Sequence, residues 1–139
     1  MVNQQFTFAV HIMTALAFSP EEVIGSQTLA ASVNTNPVVV RRLLLALRKA
    51  GLIETFTGKH GGARLRKKPN RVSLVDIYDA VESRPVILIN ERKALKQCHV
   101  SCNMKSIMTG LAESAEQAVR KHLRGITLAQ LVRKVHARR

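Results

Sequence analysis

The sequence predicts a mainly α fold with one small β-hairpin, an α+β architecture. Three observations carry this. Apolar residues recur at three- and four-residue steps along most of the chain. Capping residues stand directly before several of those runs. One glycine-rich turn, Thr57-Gly58-Lys59-His60-Gly61-Gly62, separates two short strand-like runs. The chain of 139 residues suits one domain with a modest core and an added dimerisation element. Hydrophobic residues make up 46% and aromatics only 4%, so that core is aliphatic.

Phe6, Ala9, Val10, Met13, Leu16 and Ala17 mark a first helix over 3–18, stopped by Ser19-Pro20. Ser26 is placed to cap a short helix over 27–33. Asn34 and Thr35 make a turn. Asn36 is then a good N-cap, Pro37 suits the first helical position, and Gly51 suits the left-handed position past the end. A helix over 37–50 follows, with Val40, Leu43, Leu44 and Leu47 inward and Val38, Arg41, Arg42, Leu45, Arg48 and Lys49 facing elsewhere. Leu52–Phe56 reads as a strand, and 63–66 pairs back antiparallel. Ser73 and Asp76 form a capping box for a helix over 74–83. Residues 84–102 read as irregular, with an apolar patch at 86–89 that could seat a ligand or pack on a helix. A long helix over 103–124 ends at Gly125. Thr127 and Gln130 cap a last helix with Leu128, Leu131, Val132 and Val135 inward. The expected organisation is 1–83, 84–102 and 103–139: a domain of short helices and a hairpin, a loop holding both cysteines, and a long dimerisation helix with a C-terminal helix.

Charge narrows the function. The formal net charge is +13 and unevenly placed. Residues 1–40 hold no Lys or Arg, whereas 41–71 hold ten basic residues against Glu54 alone. Residues 120–139 hold seven basic residues and no acid. Concentrated positive charge points to a polyanion such as nucleic acid.

Two short helices, the second opening on polar and basic residues, followed by a glycine-tipped hairpin, make a winged helix-turn-helix. A helix enters the major groove end-on, and its first residues reach base edges. The expected contacts are Asn34, Thr35, Asn36 and Pro37 at the turn, Val38 on a thymine methyl, and Arg41 and Arg42 on guanine or phosphate. Lys59, His60 and Arg64 of the hairpin reach the minor groove or the backbone. Singly, Arg41-Arg42 reads more readily as a solvated face, and the glycine run as a plain turn. In series with correctly spaced caps they read as a motif.

The stretches FAVHIMTALA, LAASVNTNPVVVRRLLLALRKAGLIET, GKHGGARL, VSLVDIYDAVE and GITLAQLV resemble the Rrf-type (IscR/NsrR-like) winged-helix bacterial transcriptional regulators over nearly the whole chain. ASVNTNPVVVRR is most similar to a subgroup without the three-cysteine cluster motif. The resemblance implies a dimer built on the long helix that binds a palindromic double-stranded DNA operator and represses. Where many members carry Arg before the first wing glycine, this chain has Thr57, and Lys59 is placed to take over.

Cys98 and Cys102, spaced C-x3-C, stand where cluster-binding members carry three cysteines, so no iron–sulfur cluster or other cofactor is expected. Basic neighbours and a helix start favour the thiolate. That makes Cys98 and Cys102 candidate sensors, with modification at Cys98 the expected switch that changes half-site spacing and releases DNA. Small apolar fillers and a subunit-crossing disulfide stay open. Cys98, His99 and Cys102 offer three ligands where structural zinc takes four, so no metal site is expected. His11, His122 and His136 read as ordinary surface or boundary residues.

Met104, Ile107, Met108, Leu111, Ala115 and Val119 form the expected dimerisation stripe, too apolar to face water alone. No apolar run approaches the ~20 residues that span a bilayer, and Met1–Gln5 lacks the basic start of a secretory signal, so a cytoplasmic protein without membrane partners is expected. No paired carboxylates, nucleophile–base spacing or phosphate loop leading into a helix suggests an enzyme. The rival is a basic nucleic-acid-binding protein without sequence preference.

Overall fold

The apolar spacing winds the chain into helices much as its periodicity dictates. In the computed structural model, which describes residues 4–82 and 84–138, the order is α1 (Gln5–Phe18), α2 (Ser26–Val33), α3 (Pro37–Lys49), β1 (Ile53–Phe56), β2 (Gly62–Leu65), a 3-10 turn at Pro69–Arg71, α4 (Leu74–Val81), α5 (His99–Arg124) and α6 (Leu128–Ala137). Residue 3, the expected start of the first helix, and Ser83, the expected end of the fourth, lie outside the described residues. Contacts divide the chain into two compact units. One combines the segments up to Glu82 and from Leu123 onward, and the other is the segment between them.

The first unit is a winged helix-turn-helix. Its core is aliphatic, as the composition requires: Ile12, Met13 and Leu16 of α1, Leu29 of α2, Val40 and Leu47 of α3, Ile53, Val72, Ile77 and Leu128 are all fully buried. The hairpin is antiparallel, with Ile53 opposite Leu65 and Phe56 opposite Gly62. Its outer edge is tied to the segment before α2, because Ile24 and Ala63 form an antiparallel bridge. Both capping boxes form: the Ser73 hydroxyl accepts the Asp76 N–H, and the Thr127 hydroxyl accepts the Gln130 N–H.

Several expectations need correction. Ser26 does not cap α2; it is the first helical residue, and Gly25 occupies the cap position with no side-chain bond. The pairing strand runs from Gly62 to Leu65, one residue earlier than expected, because Gly62 itself opposes Phe56. The long helix starts at His99, four residues before 103, so Cys102 lies inside its first turn. The C-terminal helix belongs with the first unit and not with the long helix. A bridge between Ser73 and Thr127 returns it there, with Leu74 N–H bonded to the Ile126 carbonyl (2.8 Å) and Leu128 N–H to the Val72 carbonyl (3.0 Å). Val135, expected inward on that helix, is exposed.

In the second unit the loop before α5 is pinned by polar contacts. Lys105 pairs with Glu91 at 2.8 Å, and the Val86 N–H donates to Glu116 at 3.2 Å. The apolar patch at 86–89 alternates, with Val86 and Leu88 exposed and Ile87 and Ile89 half-buried.

Candidate nucleic-acid interface

The amino terminus of α3 is fixed from both sides. Asn34 adopts a left-handed conformation (φ 65°) that closes α2, its N–H returning to the Ala30 carbonyl. Asparagine tolerates this region better than most residues. Two residues on, the Asn36 side chain accepts the Val38 N–H at 2.7 Å, and Pro37 takes the first helical position. The turn therefore has little freedom, and α3 begins at one defined place. Val40, Leu43, Leu44 and Leu47 lock one face into the core. The opposite face is left to solvent: Val38 is 53% exposed, and Arg41, Arg42, Leu45, Arg48 and Lys49 are exposed with it. Asn34 and Asn36 are exposed too, whereas Thr35 and Pro37 are half-buried.

The hairpin supplies the second part of the surface. Gly58 (φ 94°) makes the tip possible, and the Gly61 N–H closes on the Gly58 carbonyl at 3.0 Å. Lys59 and His60 project from this tip and are exposed. Arg64 is differently placed. Its guanidinium bonds the Glu54 carboxylate at 3.0 Å across the strands and lies over the Phe56 ring, 5.2 Å from its centroid. Arg64 thus already has partners within the hairpin.

The structure separates the two adjacent arginines. Arg41 lines a depression of about 460 Å³ between α3 and the hairpin, together with Arg48, Thr55, Thr57, Gly58 and Gly61. Arg42 is not among the residues lining it. Arg48 is no part of the sequence motif at the start of α3, although its spacing of seven from Arg41 places both on one helix face. Ser26 also lines the depression, from α2, and nothing local in the sequence signals that.

Cys98 precedes α5 and is half-buried; its Sγ accepts the Ser101 N–H at 3.4 Å. Cys102 is exposed, and its thiol donates to the Leu95 and Lys96 carbonyls at 3.5 Å. On α5, Ile107 and Leu111 are 53% and 54% exposed, and Met104 is also exposed. Met108, Ala115 and Val119 are half-buried.

A family model described as Rrf2, iron-dependent transcriptional regulator, matches residues 2–134. The chain belongs to the Rrf2 family of transcriptional regulators. It is 31% identical over 132 residues to YwnA, a candidate HTH-type transcriptional regulator of Bacillus subtilis (strain 168), covering 95% of this chain and 97% of that one. A crystal structure of a candidate transcriptional regulator from Lactobacillus plantarum superposes with a TM-score of 0.82 at 26% identity, covering 96% of this chain and 90% of that one. IscR from T. potens has the same fold, with a TM-score of 0.71 at 20% identity over 97% of this chain and 88% of its own.

The family description raises the question of iron. The chain has two cysteines, and both sulfurs bond the backbone around the start of α5. Among the described residues, no group of three or more His, Cys, Asp and Glu side chains could hold a metal ion. This donor set does not fit a cluster ligated within one chain.

Proposed function

We propose that this Rrf2-family protein is a homodimeric, sequence-specific DNA-binding repressor that reads a palindromic operator with α3 and steadies it with the hairpin. One observation carries the reading: a rigidly capped α3 whose inward face is fully aliphatic and whose outward face holds Val38, Arg41, Arg42 and Arg48. Asn34, Thr35, Asn36 and Pro37 set the edge presented to the duplex. Arg41 and Arg48 approach it on the hairpin side, and Arg42 meets it on the other side of the helix. Lys59 and His60 reach the adjoining minor groove or phosphates. Arg64 acts chiefly by holding the hairpin together, given its bond to Glu54.

Dimerisation through α5 would cover Met104, Ile107 and Leu111, with Met108, Ala115 and Val119 at the flanks. Two α3 helices would then address two half-sites. The proposed switch is modification of the thiol at Cys98 or Cys102, which would remove the sulfur bonds that set the start of α5. The protein would act in the cytoplasm, without a cofactor and as a binder instead of an enzyme. No helix among the described residues is long and apolar enough to cross a membrane.

Selection of bound duplexes from a random pool tests this reading. The expected result is an inverted repeat whose enrichment falls when a thiol oxidant is present. Equal retention of all duplexes would instead mean a non-specific nucleic-acid binder. Enrichment unaffected by oxidant would remove the cysteine switch alone.

A further inference from the structure

The base of the hairpin leads into a short cationic segment. Residues 66–71 read Arg-Lys-Lys-Pro-Asn-Arg, four positive charges and no acid. All are exposed except Pro69, which is half-buried. The 3-10 turn that ends the segment packs on α6, where the Leu128 N–H meets the Val72 carbonyl at 3.0 Å. α6 adds the exposed Arg133, whereas its Lys134 and Arg138 line a surface shared with α1. Asp76 and Asp79 share a hollow with Lys67 and offset its charge. Among the described residues, Arg66, Lys68, Arg71 and Arg133 have no ion-pair partner. Like charges gathered this way repel one another unless an anion lies over them.

We propose that this face, centred on Lys68, Arg71 and Arg133, holds a second DNA duplex through its phosphates, so that protein seated on one duplex by α3 bridges it to another. No large apolar side chain between residues 57 and 82 is exposed. A protein partner would therefore find no apolar centre to dock on. A duplex needs none, because closely spaced cations on flexible stems meet its phosphates without regard to sequence. The face also lies apart from the one at α3. β2 ends at Leu65, and the Arg66 N–H bonds the Leu52 carbonyl at the base of the hairpin, so the segment leaves the end away from Lys59 and His60. None of residues 66–71, and no residue of α6, lines the depression beside α3. The bridging rests on the α3 reading; the cationic face does not.

The test uses the full-length protein, a duplex selected from the random pool and fixed to beads, and a labelled duplex of unrelated sequence in solution. The protein should carry the labelled duplex to the beads. In the Lys68→Gln/Arg71→Gln/Arg133→Gln variant this capture should fall about tenfold or more, and its salt slope by about two to three units, one for each lost phosphate contact. Affinity for the immobilised duplex alone and the circular dichroism spectrum should stay unchanged. Wild-type protein that holds one duplex but never two would overturn the proposal and leave the α3 reading standing. Capture that the triple variant retains would overturn it too. A parallel fall in affinity for the single duplex would overturn it by placing these cations on the flanks of the same DNA. Polyglutamate that displaces the labelled duplex at a lower charge concentration than unlabelled duplex would overturn it by making the face a site for acidic protein. Labelled-duplex binding that survives Arg41→Ala/Arg48→Ala but not the triple change would support this face and defeat the α3 reading alone.

Discussion

Ala63 and Ile24 exchange both backbone hydrogen bonds, each 2.9 Å long, and so fasten the hairpin to the segment that leads into α2. The position of the wing is therefore set by a contact between residues 39 apart in the chain and not by its own turn. Gly62 makes the contact possible. A Cβ there would fall on the Ile24 carbonyl, and its φ of 155° is one that other residues rarely adopt. Gly62→Ala should cost about 1–3 kcal/mol in urea unfolding, the scale of losing this pair of bonds, and should weaken duplex binding. An unchanged midpoint with unchanged affinity would show that the bridge does not position the wing.

Removing the α3 cap should act on stability and on recognition together. Asn36→Ala loses the acceptor of the Val38 N–H. A cost of about 1 kcal/mol is expected from denaturant unfolding, with Asn36→Asp retaining most of the stability. Duplex affinity of the Ala variant should fall by more than stability alone explains, because the helix start proposed to meet DNA frays first. Affinity that tracks the folded fraction alone would limit Asn36 to a structural role.

The arginines should separate by type of contact. Arg41→Ala should cost about 1–3 kcal/mol of binding if its guanidinium pairs with a guanine, and the loss should be specific to the selected operator. Arg48→Ala, from the same depression, should weaken all duplexes alike and lower the salt slope by about one unit if it meets phosphate. A uniform loss for both would place Arg41 on phosphate as well.

Glu54→Gln probes the hairpin charge. Glu54 is the only acid between residues 41 and 71 and pairs with Arg64. Both side chains are over a third exposed, so the stability cost should stay below about 1 kcal/mol. Duplex affinity should rise, since one negative charge leaves the surface and Arg64 is freed. A fall in affinity would mean that the paired Arg64, held over Phe56, is the form that DNA selects.

An aspartate pair on α5 tests dimerisation. Ile107→Asp with Leu111→Asp should give a monomer in sedimentation at micromolar concentration, with helical content maintained, because both side chains are exposed within the chain. A persistent dimer would move the interface to another surface.

The sequence by itself determined the helices, their order and the two faces of α3. These follow from spacing and capping among neighbours: Asn36 is two residues from the N–H it caps, and the Val40–Leu47 stripe is written within one helix. Both capping boxes were legible for the same reason. Tertiary structure alone decided the docking of the hairpin on Ile24, the return of α6 to the first unit, the pairing of Arg64 with Glu54 and the packing of the 3-10 turn on α6. Gly62 reads in sequence as one more turn glycine, His11 as an ordinary surface or boundary residue, and Lys134 as one more basic residue near the C-terminus. What sets their surroundings is packing between segments far apart in the chain, and local periodicity carries no record of it.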